Sequence, residues 1–212
     1  VRKLKDAGIK VVSVIPTVEN ARRMEGEGVD AVVASGTEAG GHVGTVSTLP
    51  LVPQVVDAVS IPVLAAGGIG DGRGFVAALA LGACGIQMGT RFMATPESGM
   101  NTWGRQRLLS MRETDTIVTR AMTGATVRCI RTPEIEAYER ALWEGASEDE
   151  LAELKRAVRK SRNTDYAARR QSAAGQVAGM IVSEKPAAQL MFEILEEAGR
   201  IIGERLPMAL AR

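Results

Sequence analysis

Ile61-Pro-Val-Leu-Ala-Ala-Gly-Gly-Ile-Gly-Asp-Gly72 is the stretch that decides the fold. Its first six residues form an apolar run of strand-like composition. Gly67-Gly68 ends that run, and an alanine-rich helix is predicted from Phe75 to Leu81. A strand that passes through a glycine turn into a helix is one βα unit, and similar units flank it. Upstream, Lys10 to Ile15 is a β-branched run stopped by Pro16. Thr17 can cap a helix through Met24, with Gly28 closing it. Ala31-Val-Val-Ala-Ser35 is the next strand, and Leu51 to Val59 reads as a helix with Val52, Val55, Val56 and Val59 on one face. Downstream, Gly85-Ile-Gln-Met88 is a fourth strand, ended by Gly89-Thr90.

Strand and helix thus recur about every 25–30 residues, the length expected of βαβ units. The strands are continuous apolar runs, as expected for parallel strands buried on both faces. Units of this kind build an open doubly wound sheet or a closed barrel. From about Met100 the character changes. Asp115 to Arg131 is mixed, with extended character. Pro133 opens a helix over Glu134 to Glu144, and Ser147-Glu-Asp-Glu150 is a capping box ahead of Leu151 to Val158. Asn163 to Gln171 reads as a polar loop. Pro186 begins a last helix through Ile202, with apolar positions at Leu190, Ile194 and Ala198 and at Met191 and Leu195.

The chain has 212 residues, 45% hydrophobic and 24% charged, which suits one large globular domain or a domain with an appendage. A formal net charge of +1 and 3% aromatic content argue against nucleic acid and acidic membranes as partners. Cys84 and Cys129 form no CxxC pair, which fits reduced thiols in a cytoplasmic setting. No apolar stretch is long enough to span a bilayer. The first residue is Val, inside a charged helix-like stretch, so residues are expected upstream.

His42 is the only histidine, in Glu38-Ala-Gly-Gly-His-Val-Gly44 directly after a strand. Imidazole titrates near neutrality and can take or give a proton at cellular pH. Glycine turns follow three consecutive strands, at Gly36–Gly44, Gly67–Gly72 and Gly89–Thr90. In parallel α/β folds ligands bind outside the carboxyl ends of the strands, so all three turns are expected at one mouth. Backbone amides of Gly67 to Gly72 at a helix start, with Gly89 and the Thr90 hydroxyl, suit a phosphate. Tight turns without a ligand are the plainer alternative. Arg91 could compensate phosphate charge or make a structural ion pair. Glu38 could orient His42 or be solvated. Gln176 could contact a ligand at the mouth or pack a loop. No cysteine or histidine array suggests a metal.

Glu38-Ala-Gly-Gly-His-Val-Gly44, Ala65-Ala-Gly-Gly-Ile-Gly-Asp-Gly72, Gly89-Thr-Arg-Phe92 and Ala174-Gly-Gln-Val-Ala-Gly-Met180, in that order, resemble the nitronate monooxygenase family, formerly 2-nitropropane dioxygenase. FMN-dependent enoyl-ACP reductase II is its close relative. The resemblance implies a TIM-type (β/α)8 barrel binding FMN at its C-terminal mouth. It makes His42 the catalytic residue, Gly67, Gly68, Gly89 and Thr90 the phosphate turns, Gly40 and Gly41 the small residues that admit flavin and substrate, and Gln176 a further cofactor contact. Residues 1–100 would be the C-terminal half of the barrel, 101–170 a helical insertion or small domain, and 171–212 a segment returning to the barrel. About four of eight βα units are expected. They would be part of a longer product or would pair their edges with another chain, a homodimer included. The implied reaction is oxidation of alkyl nitronates or nitroalkanes with O2 to a carbonyl compound and nitrite. In the reductase alternative, suggested by Val43-Gly-Thr-Val-Ser-Thr48, NAD(P)H reduces FMN and an enoyl thioester on acyl carrier protein is the acceptor. A non-catalytic fragment of such a barrel is the third reading.

Overall fold

Four strands pair in the order in which the chain makes them. The computed structural model describes residues 1–164 and 173–211. In it β1 (Val12–Ile15), β2 (Ala31–Ser35), β4 (Val63–Ala66) and β5 (Gly85–Gln87) form a parallel sheet in the order β1-β2-β4-β5. Between them run α2 (Val18–Gly26), α3 (Thr48–Val56) and α4 (Gly72–Ala80), after a short α1 (Arg2–Asp6). Strand order without reversal distinguishes this sheet from a doubly wound one, whose order switches. All crossovers then run in one direction, and right-handed crossovers place every helix on one face.

The register shows which face that is. Ile15, Ala34, Ala65 and Ile86 lie in one row across the sheet, with Ser13, Val32 and Val63 in the next. These rows meet Ala21, Leu51, Val52, Val55 and Ala78 from the three helices to form the main core. The opposite face carries Val14, Val33 and Leu64, which take no part in that core. On β1 that face is open, with Val12 and Val14 53% and 55% exposed. Continuous apolar strands were expected to be buried on both sides; β2 is, and the edge strand β1 is not.

Helix boundaries follow their caps. Thr17 Oγ1 accepts from the amide of Asn20 and starts α2 as expected. α3 begins at Thr48 rather than Leu51, with Pro50 in its first turn, where a missing N–H costs nothing. It ends at Val56, short of the expected Val59. α4 begins at Gly72 rather than Phe75, because Asp71 Oδ1 accepts from the amide of Gly74 at 3.1 Å.

After β5 come α5 (Thr90–Met93), a 3₁₀ turn (Pro96–Ser98) and α6 (Thr102–Leu109). The mixed segment is a hairpin of β6 (Thr116–Thr119) and β7 (Val127–Ile130). A two-residue strand, β3 (Gly41–His42), pairs antiparallel with β7 to make a second sheet, β3-β7-β6. Val127 and Cys129 pack on α7 (Pro133–Trp143) and α8 (Glu148–Thr164) through Ile135, Tyr138 and Val158. The expected capping box forms reciprocally between Ser147 and Glu150. α8 runs six residues past the expected Val158 and takes in Asn163 and Thr164. The rest of the expected polar loop, 165–171, lies outside the described residues.

The returning segment makes a 3₁₀ turn (Gln176–Met180) and then α9 (Ala187–Arg200). α9 continues through a π-helical turn (Ile201–Arg205) into α10 (Leu206–Leu210). Leu190, Ile194 and Ala198 are the buried stripe of α9, whereas Met191 and Leu195 are exposed. No helix among the described residues is long and apolar enough to cross a membrane.

Candidate active site

The loops after β2, β4 and β5 leave the carboxyl ends of neighbouring strands and surround one cavity of about 300 Å³. Its floor is the sheet face turned away from the main core, through Val14, Ser35, Ala66 and Gln87. Glu38, Gly40 and His42 come from the first loop, Gly67 and Gly68 from the second, Gly89 and Thr90 from the third. Gly175 and Val177 of the returning segment close one side. The three glycine turns therefore share a mouth. Gly41 and Gln176 do not line it. Gln176 is exposed, and its amide donates to the carbonyl of Glu38 at 2.9 Å.

His42 is exposed at the rim, held by the second sheet rather than the first. Gly41 pairs with Arg128, His42 with Val127, and the amide of Val43 donates to the Thr126 carbonyl at 3.2 Å. Gly41 has φ +90°, a backbone that side chains rarely adopt, and this bend turns the loop into β3. Gly40 lines the cavity and also serves the packing. A Cβ there would lie 2.7 Å from Ala174 C and Gly175 N, so Gly40 lets the returning segment pack.

Glu38 does not orient His42. Its carboxylate accepts from the Thr48 amide at 2.9 Å and from Thr48 Oγ1 at 3.0 Å, at the start of α3. Thr48 Oγ1 also lies 3.1 Å from the Ala66 carbonyl and 2.9 Å from that of Gly67. Gly67, at φ +95°, turns the chain there, and its place for a Cβ is filled by that hydroxyl at 2.9 Å. One buried threonine thus ties the histidine loop to the turn after β4.

The phosphate expectation is narrowed. The first amide of α4, Gly72, donates to Glu197 Oε2 at 2.7 Å, and that of Gly74 to Asp71, so this helix end is closed by the protein's own carboxylates. The amides of Gly68 and Gly89 meet no protein acceptor among the described residues, and both glycines are exposed. A Cβ on Gly89 would meet nothing within 4 Å, so there is room above it. Thr90 Oγ1 accepts from the amide of Gly175 at 2.9 Å, which fixes it beside the cavity. Among the described residues no lysine or arginine lines the cavity. Arg91 points away: Nη1 donates to the Ser183 carbonyl at 3.4 Å. Burial pulls its guanidinium below the ordinary value, against the pull of Glu193. Among the described residues the amides of Gly68 and Gly89, Thr90 and the His42 ring are what the cavity offers an anionic group. Among the described residues no group of acidic, cysteine and histidine side chains could hold a metal.

The model of the nitronate monooxygenase family matches residues 1–197. The chain belongs to that family. It is 45% identical over 146 residues to a probable nitronate monooxygenase of Staphylococcus aureus strain MSSA476, covering 64% of this chain and 41% of that one. The match thus spans less than half the length of the curated relative. FabK from Thermotoga maritima superposes with a TM-score of 0.84 at 39% identity, over 98% of this chain and 67% of that one. A nitroalkane oxidase from Streptomyces ansochromogenes gives 0.75 at 35% identity, over 94% and 60%. The nitronate monooxygenase family is one of oxidoreductases, and the α/β fold with its parallel sheet is similar to that of both structures.

Proposed function

We propose that this chain carries the cofactor and proton-transfer side of an FMN-dependent nitronate monooxygenase. The observation that carries the reading is the convergence of His42 with the free amides of Gly68 and Gly89 on one cavity. In this reading Gly67, Gly68, Gly89 and Thr90 hold the FMN phosphate by backbone N–H groups and one hydroxyl. When bound, FMN supplies electron transfer between the substrate and O2. The chain's own task is acid–base and positional. An imidazole nitrogen of His42 accepts the α-proton of a neutral nitroalkane, or as imidazolium it holds the anionic nitronate. Val14, Ile69, Met88 and Val177 keep the cavity wall apolar and limit water.

The same reading makes the parallel sheet half of a (β/α)8 barrel. Supporting it are the unreversed strand order, the packing of α2, α3 and α4 in one core with one sheet face, and the exposed Val12 and Val14 of β1. The small domain expected over 101–170 then supplies, through β7, the strand that holds His42, in a cytoplasmic enzyme.

A second reading is a flavin-dependent enoyl reductase, favoured by the superposition with FabK. His42 would then orient a thioester carbonyl, with NAD(P)H as donor and acyl carrier protein as partner. The test is to add FMN to the purified chain and measure oxygen uptake and nitrite with propyl-2-nitronate, against NADPH oxidation with crotonyl thioester. Nitrite with the nitronate supports the monooxygenase. NADPH oxidation that depends on the thioester supports the reductase. Neither activity, with no flavin absorbance retained after gel filtration, refutes both for this chain.

A further inference from the structure

We propose that Arg128 is a positioning residue, holding the His42 loop over the cavity from the second sheet. The proposal rests on the reading of His42 as the acid–base group. Arg128 is 7% exposed, and among the described residues it makes no ion pair. Its acceptors are neutral: Nε donates to the Thr37 carbonyl at 2.7 Å, and Nη1 to Thr116 Oγ1 at 3.0 Å. Burying a guanidinium without an ionic partner is costly, and an apolar side chain would fill the space at lower cost. The compensating gain lies in what the guanidinium joins.

Thr37 opens the loop that ends in His42, and Thr116 lies on β6. Arg128 therefore grips the start of the loop with its side chain. The strand that bears it grips the end, through the Gly41, His42 and Val43 pairings. The loop is closed at both ends by β7. Between them Glu38 ties it to Thr48, and the Glu38 charge faces the guanidinium, partly offsetting the effect of burial on it. With the Arg128 side chain removed, the Thr37 carbonyl loses its tie to β7, and the loop is left to the amide bonds of Thr37 to Val46 and of Gln176 to Glu38, the Glu38–Thr48 tie and the short β3 pairing. The turns at Gly68 and Gly89 follow strands of the parallel sheet, and neither accepts the hydrogen bonds given for Arg128.

The test uses Arg128→Met and Arg128→Lys, with Thr116→Val removing one of the two acceptors. FMN affinity is followed by flavin fluorescence, and turnover is compared on a neutral nitroalkane and on its pre-formed nitronate, which does not need α-proton removal. His42 is the only histidine, so its imidazole resonances report one side chain without assignment. In Arg128→Met, FMN affinity stays within about threefold, nitroalkane kcat/KM falls about 10²-fold, and nitronate turnover falls less than about tenfold. The imidazole resonances lose the shift that FMN causes in the parent, and Arg128→Lys and Thr116→Val lie between. An unchanged ratio of nitroalkane to nitronate rates overturns the proposal. So does loss of FMN in step with activity, which marks a merely structural arginine. If Arg128→Met does not melt cooperatively, the other two variants decide by the same criteria. If the parent binds no FMN, the functional reading fails separately. Arg128 is then judged on the apo imidazole resonances, which must move in Arg128→Met and recover in Arg128→Lys.

Discussion

Glu197 Oε2 accepts the amide hydrogen of Gly72 at 2.7 Å, joining α9 to the first residue of α4 across 125 positions of sequence. The contact closes a helix end next to the cavity and docks the C-terminal helix. Glu197→Ala leaves that amide without its partner and should destabilise the fold by about 1–2 kcal/mol. Urea unfolding should show a lower midpoint at unchanged slope, and FMN affinity should stay the same. A fall in FMN affinity would mean that this helix end belongs to the cofactor site after all.

Thr48 is buried between a carboxylate and two carbonyls. Thr48→Val keeps the shape and removes the hydroxyl, leaving the Gly67 carbonyl and Glu38 poorly satisfied. A loss of about 1–3 kcal/mol is expected, with weaker FMN binding because the turn at Gly67 loosens. Thr48→Ser should restore most of both, as read by thermal melts and flavin titration.

Gly40 and Gly89 separate packing from binding. Gly40→Ala drives a methyl into the backbone of Ala174 and Gly175, so loss of stability comes first, by about 1–3 kcal/mol. Gly89→Ala meets open space, and its φ of −107° suits alanine. Its melting temperature should be unchanged while FMN affinity falls by tenfold or more, about 1.4 kcal/mol. Unaltered FMN binding in Gly89→Ala would place the phosphate elsewhere.

His42→Asn removes the titrating group but leaves β3 paired through its backbone. Nitroalkane kcat/KM should drop by about 10²–10⁴-fold with FMN retained, and pre-formed nitronate should be affected less. Stopped-flow flavin absorbance under anaerobic conditions measures both.

How far this could be seen beforehand depended on range. The four parallel strands announced themselves as apolar runs bounded by Gly or Pro, and the Ser147–Glu150 cap by its spacing. β3 did not, because Gly41-His42 has no strand propensity and gains its partner from Val127–Ile130, more than 80 positions away. Glu38 stood beside His42 in sequence and invited a pairing. The turn at Gly40 and Gly41 instead leaves it facing Thr48, which a cap-based reading of α3 from residue 48 would have exposed. The amides of α4 looked open for the same reason of range, since Glu197 arrives from the far end of the chain.

Acid should loosen the amino-terminal edge. A hydrogen bond from Lys5, the amide of Val11 and a second lysine, Lys10, hold the Asp30 carboxyl far below the usual carboxylate range. A group depressed in the folded state stabilises it above the unfolded value, about 3.9, and that gain is lost as pH falls towards the folded value. The stability difference between the parent and Asp30→Asn should therefore be full at pH 7 and shrink below about pH 4. Urea midpoints across that range test the sign.

Among the described residues β1 and β5 have no strand on their outer sides, and β1 carries the exposed Val12 and Val14. Such borders recruit other strands. Storage behaviour is thus a property of the topology: concentrated solutions should cloud through edge-to-edge stacking, and charged substitutions at Val12 or Val14 should clear them.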